Sequence, residues 1–336
     1  MKNPNLKGGP VFGGLTKSGQ LARLIPSLAD SKRETAQLTW IQTSYSSVPL
    51  YLQRIDKTLM IFLCLRIMFV ALLVVVLFNV TQSPSYGQGD DELRAKIQNP
   101  IGSLIRVPIE TIIDFGAPDG SALFISLKPV IPVRVGSVNL INRTIMPIIY
   151  APGPILGGPG NPSPAQGPSA FGLGDINHSV FLSPANPGKL ILGVGPSVSF
   201  PTATDSILGS GKWSAGPTAA IIIRPKPWIL GMIVANLWSF AGDSDRDDVN
   251  QLISQAFIAY NLSGGWALIS EPLFTANWKA DPSQRWVVPL GGGVGKLINL
   301  ANKPVVLKLQ SFYNVERPDG APDWTMKFMV QFIFPK

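Results

Sequence analysis

Beyond about residue 104, apolar and polar residues alternate in runs of roughly ten, each run bounded by turn-forming Gly, Pro, Asn, Asp or Ser. A period of two is that of a strand whose two faces meet different surroundings. The last run shows it best. Trp324, Met326, Phe328, Val330, Phe332 and Phe334 fall on one face, and Thr325, Lys327, Met329 and Gln331 on the other. Read backwards, the same pattern predicts strands at 304–315, 285–296, 266–277, 249–261, 228–240, 212–223, 189–201, 172–183, 138–150, 121–133 and 105–115. With the last run that makes about twelve, an even number typical of bacterial outer-membrane barrels. Each is long enough to cross a hydrocarbon layer when tilted.

The connectors alternate too. Gly136-Ser137, 184–188, 224–227, 262–265 and 299–303 are short. The intervening ones, at 117–120, 151–170, 203–211, 241–248, 279–284 and 316–322, are mostly longer or more polar. Barrels have short periplasmic turns and longer outer loops, and an even strand count returns both ends to the periplasmic side. Seven of the eight tryptophans follow residue 200, most of them at or near a predicted strand end, where an aromatic girdle belongs. The expectation is therefore an all-β, antiparallel up-and-down transmembrane barrel over residues 105–336. A soluble β-sandwich or lipocalin-like barrel also alternates, but turns its apolar face inward. The aromatic ends and alternating connectors favour the membrane form.

Composition agrees. Only 14% of the residues are charged, against about 25% in soluble domains, and Gly (33) and Pro (31) supply the punctuation of many short segments. The net charge of +8 belongs mainly to residues 1–87, which carry nine Lys/Arg against three acids. No basic patch interleaved with aromatics remains to track phosphates, so nucleic acid is not an expected partner.

Leu59 to Phe78 reads LMIFLCLRIMFVALLVVVLF, preceded by Arg54 and Lys57 and followed by Ser85-Tyr86-Gly87. A positive flank, an apolar core and small residues before a cut make an export signal. It is assigned to 58–87, with cleavage near Gly87/Gln88. A transmembrane anchor of this length would carry Arg66 inside its span, at considerable cost. Residues 1–57 ahead of it read as a disordered or mis-annotated extension, and 88–104 as a short periplasmic or plug helix. Cys64, the only cysteine, lies in the signal, so no disulfide or thiolate metal site is expected. Leu63 before it argues against a lipoprotein signal.

Three hints of chemistry fail on inspection. His178 is the only histidine, but on one strand it points away from the face shared by Asp175, Asn177 and Ser179. Asp243, Asp245 and Asp247 have calcium-loop spacing, but Asp248 and Ser254 occupy the positions that need Gly and Glu. The sequence around Gly291–Lys296 lacks the Gly and Ser/Thr of a phosphate loop; its glycines suit a bend or close strand approach. No catalytic residue, metal or cofactor is expected. With the polar parity taken as inward, the lumen-lining candidates are Arg106, Glu110, Asp114, Lys128, Asp175, Asn177, Gln251, Gln255, Glu271, Lys308, Gln310 and Lys327. Their charges either neutralise one another to hold the interior together or set the selectivity of a solute path.

Several motifs occur together: GLGDI (172–176), GVGP (193–196), FPTATD (200–205), GKWSAGP (211–217), LWS (237–239), RDDVNQ (246–251), PLGGG (289–293) and RPDGAPDW (317–324). Over about residues 90–336 the chain resembles a bacterial outer-membrane transporter family, mislabelled "neuromedin U" and related to the phenol-degradation meta-pathway outer-membrane proteins. The resemblance implies an outer-membrane barrel that passes a small solute, hydrophobic or aromatic, and carries over no site residues. The expected partners are outer-membrane lipid and lipopolysaccharide, with the barrel-assembly machinery reading the C-terminal strand. A barrel without transport, structural or surface-binding, is the alternative; a lipid hydrolase ranks below it. Mass spectrometry of the mature protein in purified outer membrane is expected to find Gln88 at or near the N-terminus. Peptides from residues 1–55 in that fraction would contradict it.

Overall fold

The computed structural model describes residues 104–300 and 303–334. The expected extension (1–57), the export signal (58–87) and all but Leu104 of the expected helix (88–104) lie outside these residues. The strands are β1 (Ile105–Ala117), β2 (Gly120–Leu127), β3 (Val130–Val135), β4 (Val138–Ala151), β5 (Ala170–Leu173), β6 (Ile176–Pro184), β7 (Leu190–Phe200) and β8 (Lys212–Ile223). They continue as β9 (Trp228–Gly242), β10 (Asn250–Asn261), β11 (Trp266–Ser270), β12 (Leu273–Asn277), β13 (Trp286–Leu300), β14 (Lys303–Glu316) and β15 (Trp324–Phe334).

β2 with β3, β5 with β6, and β11 with β12 are each one stave interrupted, which gives a closed antiparallel barrel of 12. The last stave pairs with the first from Ile105↔Phe334 to Phe115↔Trp324, so the sheet has no free edge. The twelve expected strands match these staves with small shifts at their ends.

The interruptions have local causes. At Lys128-Pro129 and Glu271-Pro272 a proline removes a ladder donor. Inward–outward parity runs through both gaps, because three residues still oppose three: Ile109↔Leu127 is followed by Arg106↔Val130, and Ile258↔Ser270 by Gln255↔Leu273. At Gly174-Asp175 the chain bulges instead. Ile148↔Leu173 is followed by Ile145↔Asn177, so parity switches within the run expected as one strand.

The outward rows are apolar and exposed, as at Ile109, Leu192, Val194, Ile221 and Leu268. Trp213, Trp238, Trp278 and Trp324 stand outward near the long-loop end, and Trp228 and Trp266 near the short-turn end. They pack on neighbours: Trp228 on Tyr260, Trp278 on Trp286, and Lys296 over Trp266 at 4.6 Å. This is the two-belt surface of a barrel that meets lipid.

Inward rows are not uniformly polar. At the short-turn end Ile141, Phe181, Ile191, Ile222 and Ile229 form one apolar cluster. Further up, β6 to β9 come close together. A Cβ on Gly195 would run into the Val180 carbonyl, and one on Gly216 into the Asn236 carbonyl. Beside these glycines Pro196 pairs with Pro217 across β7 and β8.

Val194 sits mid-strand on the outward face and is 58% exposed. Val194→Arg is expected to cost about 2–4 kcal/mol of stability in lipid vesicles, the range for a cation on the lipid face near the midplane. Reversible urea unfolding in vesicles measures it. An unchanged midpoint would contradict the outward placement.

Candidate functional site: the lumen and its inward-folded loop

The loop between β4 and β5, residues 152–169, is built of Pro, Gly and small residues. It turns into the barrel mouth and reaches the opposite wall. Thr275 Oγ1 donates to Gly157 O at 2.8 Å. Gln251 grips the loop twice, its Nε2 donating to Gly158 O at 2.9 Å and its Oε1 accepting from Gly160 N at 2.7 Å. Gly157 has φ +74 and lies so close to Val287 that a Cβ would clash, so only glycine fits there. Ile155 packs with Ile149, Ile207 and Leu208 under the neighbouring loop.

Two groups tie that neighbouring loop (201–211) down. Asp175, freed by the bulge, accepts from Ser210 N at 2.7 Å, Ser210 Oγ at 2.8 Å and Ala203 N at 3.2 Å. Arg246 donates to the carbonyls of Ser206 and Gly209, both at 2.8 Å, and reaches Ser163 O at 3.5 Å. Arg246 therefore stitches two loops through their backbones rather than neutralising the aspartates around it. Among the described residues, no acidic or histidine cluster has the make-up of a metal site.

Beneath the loop lies a cavity with about 220 Å³ of room for the centre of a water molecule, many times the ~10–15 Å³ that one water needs. Phe124, Ile145, Ile149, Ile155 and Leu156 are among its apolar lining, and Glu110, Asp114, Lys128, Arg143, Asp175 and Lys327 are its charged lining. Glu110 pairs with Lys128. Asp114 accepts from Thr325 Oγ1 at 2.6 Å. Glu271, in the gap between β11 and β12, binds Lys308 at 2.6 Å and Gln310 Nε2 at 3.3 Å. Its own N–H donates to Gln310 Oε1 at 2.9 Å, and its carbonyl accepts from Lys327 Nζ at 3.0 Å. The Lys327 ammonium also stands over the Phe312 ring at 5.5 Å.

The structure places the sequence candidates as follows. Glu110, Asp114, Lys128, Asp175, Asn177, Gln255 and Lys327 line the cavity. Arg106, Glu271, Gln310 and Gln251 are buried, and Lys308 is bound to Glu271. Asp175 and Gln251 act on the loops rather than on open space. Arg143 was missed, although it lines the same cavity. Apart from Asn139 its row in β4 is apolar inside (Ile141, Ile145, Ile149), while the polar Asn142 and Thr144 face outward, so polar parity does not single out an inward face. His178 lies outward beside Thr144, with Oγ1 and Nδ1 2.9 Å apart. Ser179 is buried on the inward face and donates to Ser197 Oγ at 2.9 Å. The two therefore stand on opposite sides of the wall and do not form a nucleophile–base pair.

No family model and no curated protein matches the sequence. Among solved structures, the chain is similar to the COG4313 outer membrane channel from Pseudomonas putida F1, with TM-score 0.50 and 14% identity over 69% of this chain and 96% of that one. A Salmonella typhi outer membrane phospholipase dimer gives TM-score 0.38 and 12% identity over 75% and 99%. Salmonella typhi OmpF gives 0.31 and 8% over 69% and 96%. At these identities the likeness to the channel is one of fold. That fold, with the apolar outer surface and its aromatic belts, places the chain in the class of outer-membrane β-barrels.

Removing the three loop hydrogen bonds with Gln251→Ala and Thr275→Val, at about 0.5–1.5 kcal/mol each, is expected to favour the loop-out state at least roughly tenfold. Planar-bilayer recordings should show larger or longer openings. Conductance identical to the parent protein would mean that the loop does not obstruct the pore.

Proposed function

We propose that the protein is a channel of the bacterial outer membrane for a small hydrophobic or aromatic solute. In this reading the long loops face outward and the short turns face the periplasm. The observation that carries it is the cavity inside the closed wall, lined mostly by apolar residues with a few charged groups among them. A structural barrel has no use for a sizeable apolar hollow, whereas ligand sites are typically apolar concavities with a few placed polar groups. The motif resemblance to the outer-membrane transporter family supports the same reading by association. As part of the proposal, the aromatic belts sit at the lipid and lipopolysaccharide head groups, and the assembly machinery reads β15.

The test uses full-length protein in planar bilayers and liposomes. Discrete small conductance steps that fall when benzyl alcohol is added are expected. Neither current nor liposome swelling, from a barrel shown folded by its heat-modifiable gel mobility, would reject transport and leave a structural or surface-binding barrel.

A further inference from the structure

One cation in the cavity differs from the rest. Glu110 is engaged by Lys128, Asp114 by Thr325, Asp175 by Ser210 and Ala203, and Lys327 by Glu271 O and the Phe312 ring. Arg143 lines the same cavity, yet its guanidinium has no hydrogen bond and no ion pair among the described residues. The acid whose charge reaches it is Glu110, whose carboxylate already holds Lys128. A guanidinium has five N–H donors in a planar fork suited to a carboxylate. Side chains two apart on a strand share a face, so Ile145 and Ile149 continue upward from Arg143 towards Ile155 of the loop.

We propose that the cavity binds a small amphipathic carboxylate, its anionic end on the Arg143 guanidinium and its apolar body against Ile145, Ile149 and Ile155. This rests on the channel reading and narrows it from an apolar solute to one with a negative end. The site is asymmetric: charge is offered at one end and an apolar slot at the other. A cationic amphiphile of the same length would meet Arg143 with the wrong sign, and a neutral alcohol would leave it unmatched.

The test is equilibrium calorimetry on full-length protein in detergent, with hexanoate as probe and hexanol, hexylammonium and acetate as comparisons. Hexanoate is expected to bind at least tenfold more tightly than each comparison. Arg143→Gln should lower its affinity at least tenfold, about 1.4 kcal/mol, and Arg143→Lys by less. A second pair leaves Arg143 in place. Ile145→Glu supplies a tethered carboxylate and should abolish hexanoate binding, whereas Ile145→Gln, of similar size, should retain it. Equal affinities for hexanoate and hexanol, or for hexanoate and acetate, would overturn the proposal. So would an unchanged affinity in folded Arg143→Gln, or equal effects of the two Ile145 variants. Binding is read without flux. A site that fails in a conducting barrel therefore rejects the ligand class alone, and a barrel that binds hexanoate but passes nothing rejects transport alone.

Discussion

In hydrocarbon every backbone N–H and C=O must find a partner within the protein, and the wall is organised by that demand. Closure of β15 onto β1 satisfies the two strands that would otherwise be edges. Each interruption of the wall is repaired. Around Pro129, Lys128 N donates to Pro108 O and Thr144 N to Pro129 O. Around Pro272, Ala256 N donates to Pro272 O, and Glu271 N turns to the Gln310 side chain. At the bulge, Gly174 N donates to Pro147 O while Thr202 accepts from Ile176 N and donates to Gly174 O. The breaks are thus places where the ladder yields, and each puts a charged residue of the interior, Lys128, Asp175 or Glu271, at the point of yielding.

Those residues organise the inside. Buried charges are expensive unless paired and hydrogen-bonded, and Glu271 is both, held by Lys308 and Gln310 through its side chain and by Lys327 and Gln310 through its backbone. The group joins β14 and β15 to the β11–β12 gap across the lumen. On the other side of the barrel Phe181 and its apolar neighbours do the corresponding packing without charge. The cavity lies above this floor and below a loop anchored to both walls.

Much of this was legible in the sequence, because two-residue periodicity is imposed directly by the pleat and by the contrast between lipid and lumen. The strands from Ile105 to Phe334 and the outward tryptophans follow from it. Three features did not. The bulge at Gly174-Asp175 inserts one residue, and periodicity carries no signal for which partner strand absorbs it. The inward face of β4 carries only Asn139 and Arg143 among apolar residues, while Asn142 and Thr144 face outward, so the rule that polar means inward gives no clear answer there. Finally, the 152–169 loop reads as composition alone. Its path across the lumen is set by Gln251 and Thr275, about a hundred residues away in the chain, and by the glycine geometry at Gly157.

The manner of that grip has its own consequence. Gln251 and Thr275 hold the loop by main-chain carbonyls and an amide, not by its side chains. Apart from Gly157, the residues packed inward, and Asn161 and Ser163, whose side chains also hydrogen-bond, the letters of this segment are therefore free of the wall that holds it. A segment held in this way can change much of its side-chain chemistry and keep the same course through the mouth, because the main-chain groups that fix it are common to nearly every residue type.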